Sequence, residues 1–382
     1  MQRPFVDDFI GDEYYVDASG GSDLNAGTSD ATAWQTLGHA IDTGIPAIGY
    51  NSTDGVRINI KSNANHSITT SLTSGGSLVS KLNAGTQWNR AGSLIFQGYT
   101  STANDGGVCT IINDCGGSTR FIDDHTTDQW GFVDCNVKAG TSSRLFAMDR
   151  GCTHMDCSFT ATGTNGDTIY SDRNSYFYRC FFHVNGGIRF NCYFYNCVFI
   201  NNSTSKTLDD NRIRIANCLL IQYGTASKAT MAECGAEQSA FVNVGTGTIT
   251  NGVSTNSGIN HCYFENITTP ITTTYSKRSV GSYYGNKEYN CTNQAVSFGT
   301  ATASGRSVIY EDVETISASP FTAIDETGFT LADGSELQYG LNIGTANGDG
   351  WAGVIKRFAG TGGPISGGAA GSSRLINGGL VD

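Results

Sequence analysis

Acidic and basic residues stand side by side twice in the middle of the chain. Asp149 precedes Arg150, and Asp172 precedes Arg173, so the second pair follows the first by 23 residues. Glycoside hydrolysis uses two carboxyl groups that flank one sugar bond. Elimination at an acidic sugar needs a base, for which arginine is a candidate. We therefore take these four residues as the candidate catalytic set, against the alternative of a ladder of ion pairs on an outer surface.

A second charged group lies further along the chain, at Asp209, Arg212 and Arg214. Side chains alternate between the two faces of a strand, so Arg212 and Arg214 would present their charges on one face. These three residues are the candidate contacts to an anionic glycan. The acidic stretch DDHTTD at 123–128 is interpreted instead as a solvated turn.

Tyrosines also alternate along the chain in this region, at Tyr170, Tyr176, Tyr178, Tyr193 and Tyr195. Those that face outward would offer aromatic rings to sugars, and those that face inward would belong to the core.

The opening stretch DASGGSDLNAGTSD contains acids and amides around glycines, which raises the question of a calcium site. An EF-hand loop counted from Asp23 places glycine at the fifth position instead of the sixth and Trp34 at the twelfth, where a glutamate belongs. A looser site would use Asp17, Asp23 and Asn25. We interpret the stretch as a connector between a strand and a helix, and we predict neither a metal nor a cofactor.

Cysteines reveal an internal repeat of about 22 residues. Aligned on one position, seven segments share a small residue, and an apolar residue follows two places later. The shared position is occupied by Cys135, Cys157, Cys180, Cys197, Cys218, Ala240 and Cys262, and the later one by Val137, Phe159, Phe182, Phe199, Leu220, Val242 and Phe264. A period of two on a repeat of this length predicts a strand that stacks on its copy in the next repeat.

A second strand precedes the cysteine in several repeats, around Phe146, Ile169, Ile188 and Ile213. Two or three short strands in each repeat predict the coil of an all-β solenoid. About ten or eleven coils at ~4.8 Å each would form a rod of roughly 50 Å. The cysteines would point inward as buried free thiols, because stacked side chains run parallel and keep their Cβ atoms too far apart for a disulfide.

Composition narrows the class of protein. The chain has 49 glycines and 5 prolines, and charged residues make up 15% of it. This composition is typical of strands joined by frequent turns, because glycine favours turns and proline is excluded from the interior of sheets. The formal net charge of −11 disfavours nucleic acid and anionic membranes as partners. No window holds the ~20 apolar residues needed to cross a bilayer, and the first residues lack the pattern of an ordinary signal peptide. We therefore expect synthesis in a cytoplasm, or export by a signal that this sequence does not encode.

The two ends differ from the repeats. Trp34, Leu37, Ile41 and Ile45 recur at helical spacing and predict a helix that covers the first coil, with Thr32 or Asp30 as its cap. The last segment is rich in glycine and is predicted to be an extended arm that docks on a neighbouring subunit; a tail lying on its own solenoid is the alternative. Its candidate docking residues are Trp351, Ile355, Phe358, Ile365, Leu375 and Leu380.

Three phrases carry a resemblance to a known family. They are YYVDASGGSDLNAGTSDATAWQTLGHAID at 14–42, SLIFQGYTSTANDGG at 93–107 and SPFTAIDETGFTLADGSELQYGLNIG at 319–344. The chain resembles the right-handed parallel β-helix proteins of the pectate-lyase-like superfold, most of all the bacteriophage virion and tailspike members. Residues 335–338 depart from the family's usual ending. The resemblance implies a single-stranded right-handed parallel β-helix, and for the phage members a homotrimer.

The sequence therefore predicts three parts: an entry strand, loop and capping helix at 1–45, a parallel β-helix at 46–343 and the glycine-rich arm at 344–382. The leading hypothesis for function is a virion structural protein, a β-helical spike, fibre or capsid-decoration protein assembled in a host cytoplasm. It would contact other virion proteins and host polysaccharide. The alternative is a polysaccharide lyase or glycoside hydrolase of the same fold.

Overall fold

A computed structural model describes the chain over much of its length. The described residues are 9–48, 55–73, 78, 94–123, 130–141, 144–150, 152–161, 167–184, 187–189, 192–201, 208–209, 213–222, 231–232, 235–244, 249–255, 258–273, 282–292, 297–298, 309–310, 313–319, 321–325 and 328–331. For some strand residues only the backbone is described.

Strands of the described residues form three long sheets, and all neighbours within each sheet are parallel. The first sheet has 12 strands: β1 (Asp12–Val16), β2 (Val56–Lys61), β4 (Leu94–Tyr99), β7 (Trp130–Val133), β10 (Thr153–Met155), β13 (Ser175–Tyr178), β16 (Cys192–Tyr195), β19 (Arg214–Ala216), β22 (Gly235–Glu237), β25 (Ile259–Asn260), β28 (Ser282–Tyr284) and β31 (Ile309–Tyr310).

The second sheet has 11 strands: β3 (Asn65–Ile68), β5 (Cys109–Asn113), β8 (Cys135–Ala139), β11 (Ser158–Ala161), β14 (Phe181–Val184), β17 (Val198–Asn201), β20 (Leu219–Gln222), β23 (Ala240–Asn243), β26 (Tyr263–Glu265), β29 (Lys287–Tyr289) and β32 (Glu314–Thr315). The third sheet has 9 strands: β6 (Ile122–Asp123), β9 (Phe146–Arg150), β12 (Asp167–Arg173), β15 (Gly187–Arg189), β18 (Leu208–Asp209), β21 (Met231–Ala232), β24 (Ile249–Thr255), β27 (Ile267–Thr273) and β30 (Ser297–Phe298).

Nine successive coils, from β4 to β30, each contribute one strand to each sheet in the same order, which confirms the predicted parallel β-helix. Alternate side chains point into the coil, and one continuous apolar cluster runs through the stack from Tyr14 to Val313. Twelve strands at ~4.8 Å make the first sheet about 53 Å long, close to the predicted rod. The entry strand is already part of the stack, because β1 and β2 pair in register.

The cysteine column lies inside the second sheet as predicted, with one correction. Leu219 pairs with Ala240, which places Ser239 beneath Cys218 and Phe241 beside Leu220. The prediction of Ala240 and Val242 for these two positions was wrong by one residue. Alanine and serine are both small, and valine and phenylalanine both apolar, so residue type did not reveal the slip. A slip of one residue turns every side chain to the other face.

A single left-handed residue lies at the corner between each strand of the first sheet and the next strand of the second, from β7 onward. Its backbone is left-handed, with φ between 47° and 64°, in every described coil from there to β28; the residues are Asp134, Asp156, Arg179, Asn196, Asn217, Gln238, His261 and Gly285. This conformation costs residues with a Cβ about 1–2 kcal/mol, and short polar side chains tolerate it best. The corner is therefore tight and constant in length.

The entry segment forms the predicted strand, loop and helix, but the helix begins later than expected. It comprises α1 (Leu37–His39), a π turn (Ala40–Gly44) and α2 (Ile45–Ile48), after a 3-10 turn at Asp30–Thr32. Thr36 is the N-cap, because its side chain accepts a hydrogen bond from the His39 amide. The prediction of Thr32 or Asp30 as the cap was wrong.

Trp34 stands outside the helix, in a bridge with Val16, and its ring stacks on Tyr14 at 5.5 Å. Gly27 has φ 71°, and a Cβ there would lie 2.2 Å from the Trp34 ring. The buried residues Leu37, Ile41 and Ile45 join the core cluster, so the helix covers the first coil.

The described chain ends in an antiparallel hairpin of β33 (Phe321–Asp325) and β34 (Gly328–Leu331). Among the described residues, no helix is long and apolar enough to cross a membrane.

Candidate functional site

The candidate carboxylates Asp149 and Asp172 occupy equivalent positions on neighbouring strands of the third sheet. β12 pairs with β9 so that Ser171 faces Met148 and Arg173 faces Arg150, which aligns the two aspartates between them. Their Cα atoms are therefore about 4.8 Å apart. Ile169 and Ser171, on the same strand β12, are fully buried in the coil. The sequence prediction of one column on adjacent coils is confirmed for the backbone.

Tyr170 lies between Ile169 and Ser171, so its side chain faces outward, and it is partly exposed. The guanidinium of Arg120 lies 5.6 Å from the centre of its ring, and Arg120 also pairs with Asp123 at 3.3 Å. This pair is half in solvent, so it contributes little to stability. It places an aromatic ring, a cation and a carboxylate within two coils of the aligned aspartates. Sequence reasoning missed Arg120 because it lies in the turn before β6.

The charged group at 209–214 is divided between two sheets. Asp209 lies in β18 of the third sheet and pairs with Ala232, whereas Arg214 is exposed in β19 of the first sheet and pairs with Tyr193. Arg212 lies outside the described residues. The predicted glycan contacts therefore lie on two sides of one corner, and their role stays a prediction.

The tyrosines of β13 and β16 face outward from the first sheet, while Phe177 and Phe194 between them are buried. Tyr176 stacks on Tyr193 with ring centres 5.0 Å apart, and Tyr178 stacks on Tyr195 at 5.1 Å. Burial raises the pKa of Tyr178 to about 12. In each pair, one face of each ring lies against the partner ring. The ladder is better suited to holding coils together than to stacking on sugars.

An ion pair that the sequence analysis missed lies at the corner beside this ladder. Arg179 donates through Nε and one terminal nitrogen to both oxygens of Asp156, at 2.7 and 2.6 Å. Both side chains are largely buried, at 12% and 7% exposure. Asp156 and Arg179 are successive members of the left-handed column. The sequence contained a signal for this ion pair, because Asp156 and Arg179 each precede a cysteine of the repeat and are therefore expected to lie on neighbouring coils.

The polar residues of the opening loop bind the chain itself. Burial alone would raise the pKa of Asp17, but hydrogen bonds from Gly20, Asn63 and Ser19 outweigh it and lower that pKa to about 2. Asp23 accepts from the backbone of Gln35 and from Thr36, at 2.9 Å each.

Asn25 donates to the Ala33 carbonyl at 3.0 Å. The acidic and amide side chains of the loop therefore make hydrogen bonds that stabilise the loop's own conformation. Among the described residues no group of three or more His, Cys, Asp or Glu side chains is arranged to hold a metal ion.

A charged network fastens this loop to the second and third coils. Lys61 contacts Asp30 at 2.7 Å and Asp17 at 3.5 Å, and the buried Tyr99 donates its hydroxyl to Asp30. The hydrogen bond from Lys61, followed by that from Tyr99, lowers the pKa of Asp30. Burial and the same hydrogen bond raise the pKa of Tyr99. The network therefore holds the opening loop against these coils.

Every cysteine among the described residues is a free thiol, as predicted, and nine of these eleven are buried. Cys109 and Cys135 approach to 3.4 Å between sulfur atoms without a covalent bond. Burial raises the pKa of Cys262 to about 12, so this thiol stays protonated and unreactive. The predicted docking residues of the arm, from Trp351 to Leu380, lie outside the described residues.

No family model matches the chain, and no curated protein sequence matches it. Two solved structures are similar in shape. One is a rhamnogalacturonan lyase, with 11% identity over 86% of this chain and 98% of that one, at a TM-score of 0.38. The other is the GH136 lacto-N-biosidase from Eubacterium ramulus, with 8% identity over 80% of this chain and 68% of that one, at a TM-score of 0.39. Likenesses this distant assign no activity, and the fold rests on the strand pairing of the chain itself.

Proposed function

We propose that the protein is a carbohydrate-active β-helix protein that binds a polysaccharide along the outer face of its third sheet. The observation that carries the proposal is the register that aligns Asp149 with Asp172 on adjacent strands. A Cα spacing of ~4.8 Å between the strands would allow the two carboxyl groups to take up the separation of ~5–5.5 Å that retaining glycosidases use. Tyr170 supplies an aromatic surface on the next position of the same strand.

In this proposal the two aspartates divide the work of cleaving a glycosidic bond. One protonates the oxygen of the leaving sugar, and the other attacks or stabilises the sugar carbon from the opposite side. Two carboxylates on adjacent coils repel each other when both are charged, and this repulsion favours one proton shared by the pair. Arg150 and Arg173 pair in register one position after the aspartates, and their part in the site stays a prediction.

The test compares four variants of the full chain on a panel of neutral and uronate-containing polysaccharides. Binding is measured by retardation in polysaccharide gels, and cleavage by new reducing ends and by unsaturated uronates. We expect Asp149→Asn and Asp172→Asn each to lower cleavage by about 100-fold or more, since each removes a general acid or nucleophile. Tyr170→Ala should weaken binding, and Asp42→Asn, on the remote capping helix, serves as the matched control.

Each outcome bears on a different part of the proposal. Cleavage that survives both aspartate substitutions would remove these residues from the mechanism. Binding without any cleavage would support polysaccharide binding and contradict the proposed enzymatic activity. A chain that neither binds nor cleaves any member of the panel would overturn the proposal.

A virion structural protein is the second candidate. It is supported by the resemblance of the entry and closing phrases and by the glycine-rich segment at 344–382, with its spaced apolar residues. On this hypothesis the chain is a homotrimer, assembles in a host cytoplasm and docks on other virion proteins. Imaging of intact particles would support it by a fixed, symmetric copy number, and a monomer absent from purified particles would exclude it.

A further inference from the structure

The outer face of the second sheet changes character along the stack. In β8 and β11 it carries polar residues, among them Lys138, which is exposed, and Thr160, which is partly exposed. In the next five strands it carries apolar residues that are at most 5% exposed. We call these the second-sheet strip: Phe181, Val198, Ile200, Leu219, Ile221, Ala240, Val242 and Tyr263.

Residues of the strip face away from the interior of the coils. Their strand neighbours Phe182, Phe199, Leu220 and Phe241 belong to the core cluster, whereas no member of the strip does. An outward side chain on the surface of a solenoid would ordinarily be in water. Because the structure contains one chain, the atoms that cover the strip belong to this chain.

The chain after the last coil returns to this face. β32 is two strands beyond β26 in the second sheet. Only four residues after Thr315, however, Ser319 donates its hydroxyl to Glu265 of β26 at 2.7 Å. Glu265 stands next to Val242 in the column of Ile200 and Ile221. The chain has therefore reversed direction and reached one end of the strip.

The hairpin that follows is long enough to cover the strip, and it requires a partner surface to be stable. The strip crosses five strands, or about 19 Å, and a five-residue strand spans about 16 Å. A lone two-stranded hairpin is marginally stable in water and needs a partner surface. Its sequence, FTAIDETGFTL, supplies phenylalanine, isoleucine and leucine.

We propose that the hairpin Phe321–Leu331 lies back along the second sheet and covers the second-sheet strip. The protein thereby closes one of its outer faces with its own C-terminal region, and only residues beyond this hairpin remain for docking elsewhere. The proposal is independent of the glycan proposal, because it concerns a different sheet.

Photo-crosslinking of the full chain tests it. A diazirine analogue of leucine at position 219 keeps the size of the side chain and reacts with whatever touches it. We expect adducts on peptides from 321–331 of the same molecule, and loss of these adducts when the probe stands at Lys138. Adducts confined to other loops of the chain, or to a second copy, would overturn the proposal.

Hydrogen exchange supplies a second measurement that does not depend on the probe. In Ile221→Asn, amides of 321–331 should lose protection while those of β2 keep it, because only the hairpin is displaced. Unchanged protection of the hairpin in this folded variant would contradict the proposal.

Discussion

The outer faces of the second and third sheets belong to the same coils, yet they carry opposite chemistry. The second-sheet strip is apolar and buried from Phe181 to Tyr263, while the third sheet carries the exposed Asp123, the partly exposed Tyr170 and the aligned backbone positions of Asp149 and Asp172. Both faces lie over one core. The difference therefore comes from alternate residues that the core does not constrain, and a repeat of this kind can assign a separate role to each face.

The largest expected effect is a charge placed in the second-sheet strip. Leu219→Asp should lower the free energy of unfolding by about 3–5 kcal/mol, because a buried carboxylate without a partner is left there. Urea unfolding followed by circular dichroism measures it. Thr160→Asp, on the polar part of the same face, should change stability by less than ~0.5 kcal/mol. Equal losses of stability at the two positions would contradict the difference between the apolar strip and the polar part of this face.

The second prediction concerns the stability of the shared core at low pH. Burial lowers the pKa of His154 to about 3, below its usual 6.5, and Phe132 donates its amide to Nδ1. The unfolded chain takes up a proton below pH 6.5 and the folded chain does not. Stability should therefore fall as the pH drops from 7 towards 4, by about 3 kcal/mol.

His154→Phe should remove most of this dependence, since the ring already stacks between Phe132 and Phe177. Unfolding curves at several pH values provide the measurement. An identical slope in the variant would show that other groups control acid stability.

A smaller effect is expected at the end of the second-sheet strip. Burial raises the pKa of Glu265, against the hydrogen bonds from Ser319 and Tyr263. The folded chain then holds a proton that the unfolded chain has lost, so stability falls as the pH rises from 4.5 through the folded pKa. Glu265→Gln should flatten the profile in this window. A profile that keeps its slope would remove Glu265 from the account of this face.

The smallest effect on stability is expected on the third sheet. Tyr170→Ala should change the free energy of unfolding by less than about 1 kcal/mol, since the ring is partly exposed and its contact with Arg120 is at the surface. Its effect should instead appear in glycan binding. Chemical denaturation and gel retardation on one preparation separate the two. A large loss of stability with unchanged binding would make Tyr170 a structural residue like those of the strip.

The fold was predictable because its signal is repeated. Cysteines at Cys135, Cys157 and Cys180 recur with aromatic residues two places later, and each copy reinforces the next. The error at Ala240 came where two small residues adjoin, so that residue type allowed two registers. The cap at Thr36 was missed because Trp34 has helical spacing with Leu37 but pairs with Val16 as a strand.

Only part of the candidate site could be predicted from the sequence. The spacing of Asp149 and Asp172 equals one coil, so their alignment was expected. Arg120 reaches Tyr170 from two coils away, and no local pattern signals such a contact. Burial of the second-sheet strip depends on a segment more than fifty residues distant, which an alternation of residues cannot report.

The corner between the first and second sheets, with its single left-handed residue, governs where this protein can change in length. From Cys180 to Ile188 the chain takes 8 residues to reach the third sheet, and from Ser239 to Val253 it takes 14, while the corner itself never varies. Insertions and deletions are therefore absorbed beside the third sheet. Loops that border the proposed polysaccharide face can diversify between relatives while the stack stays in register.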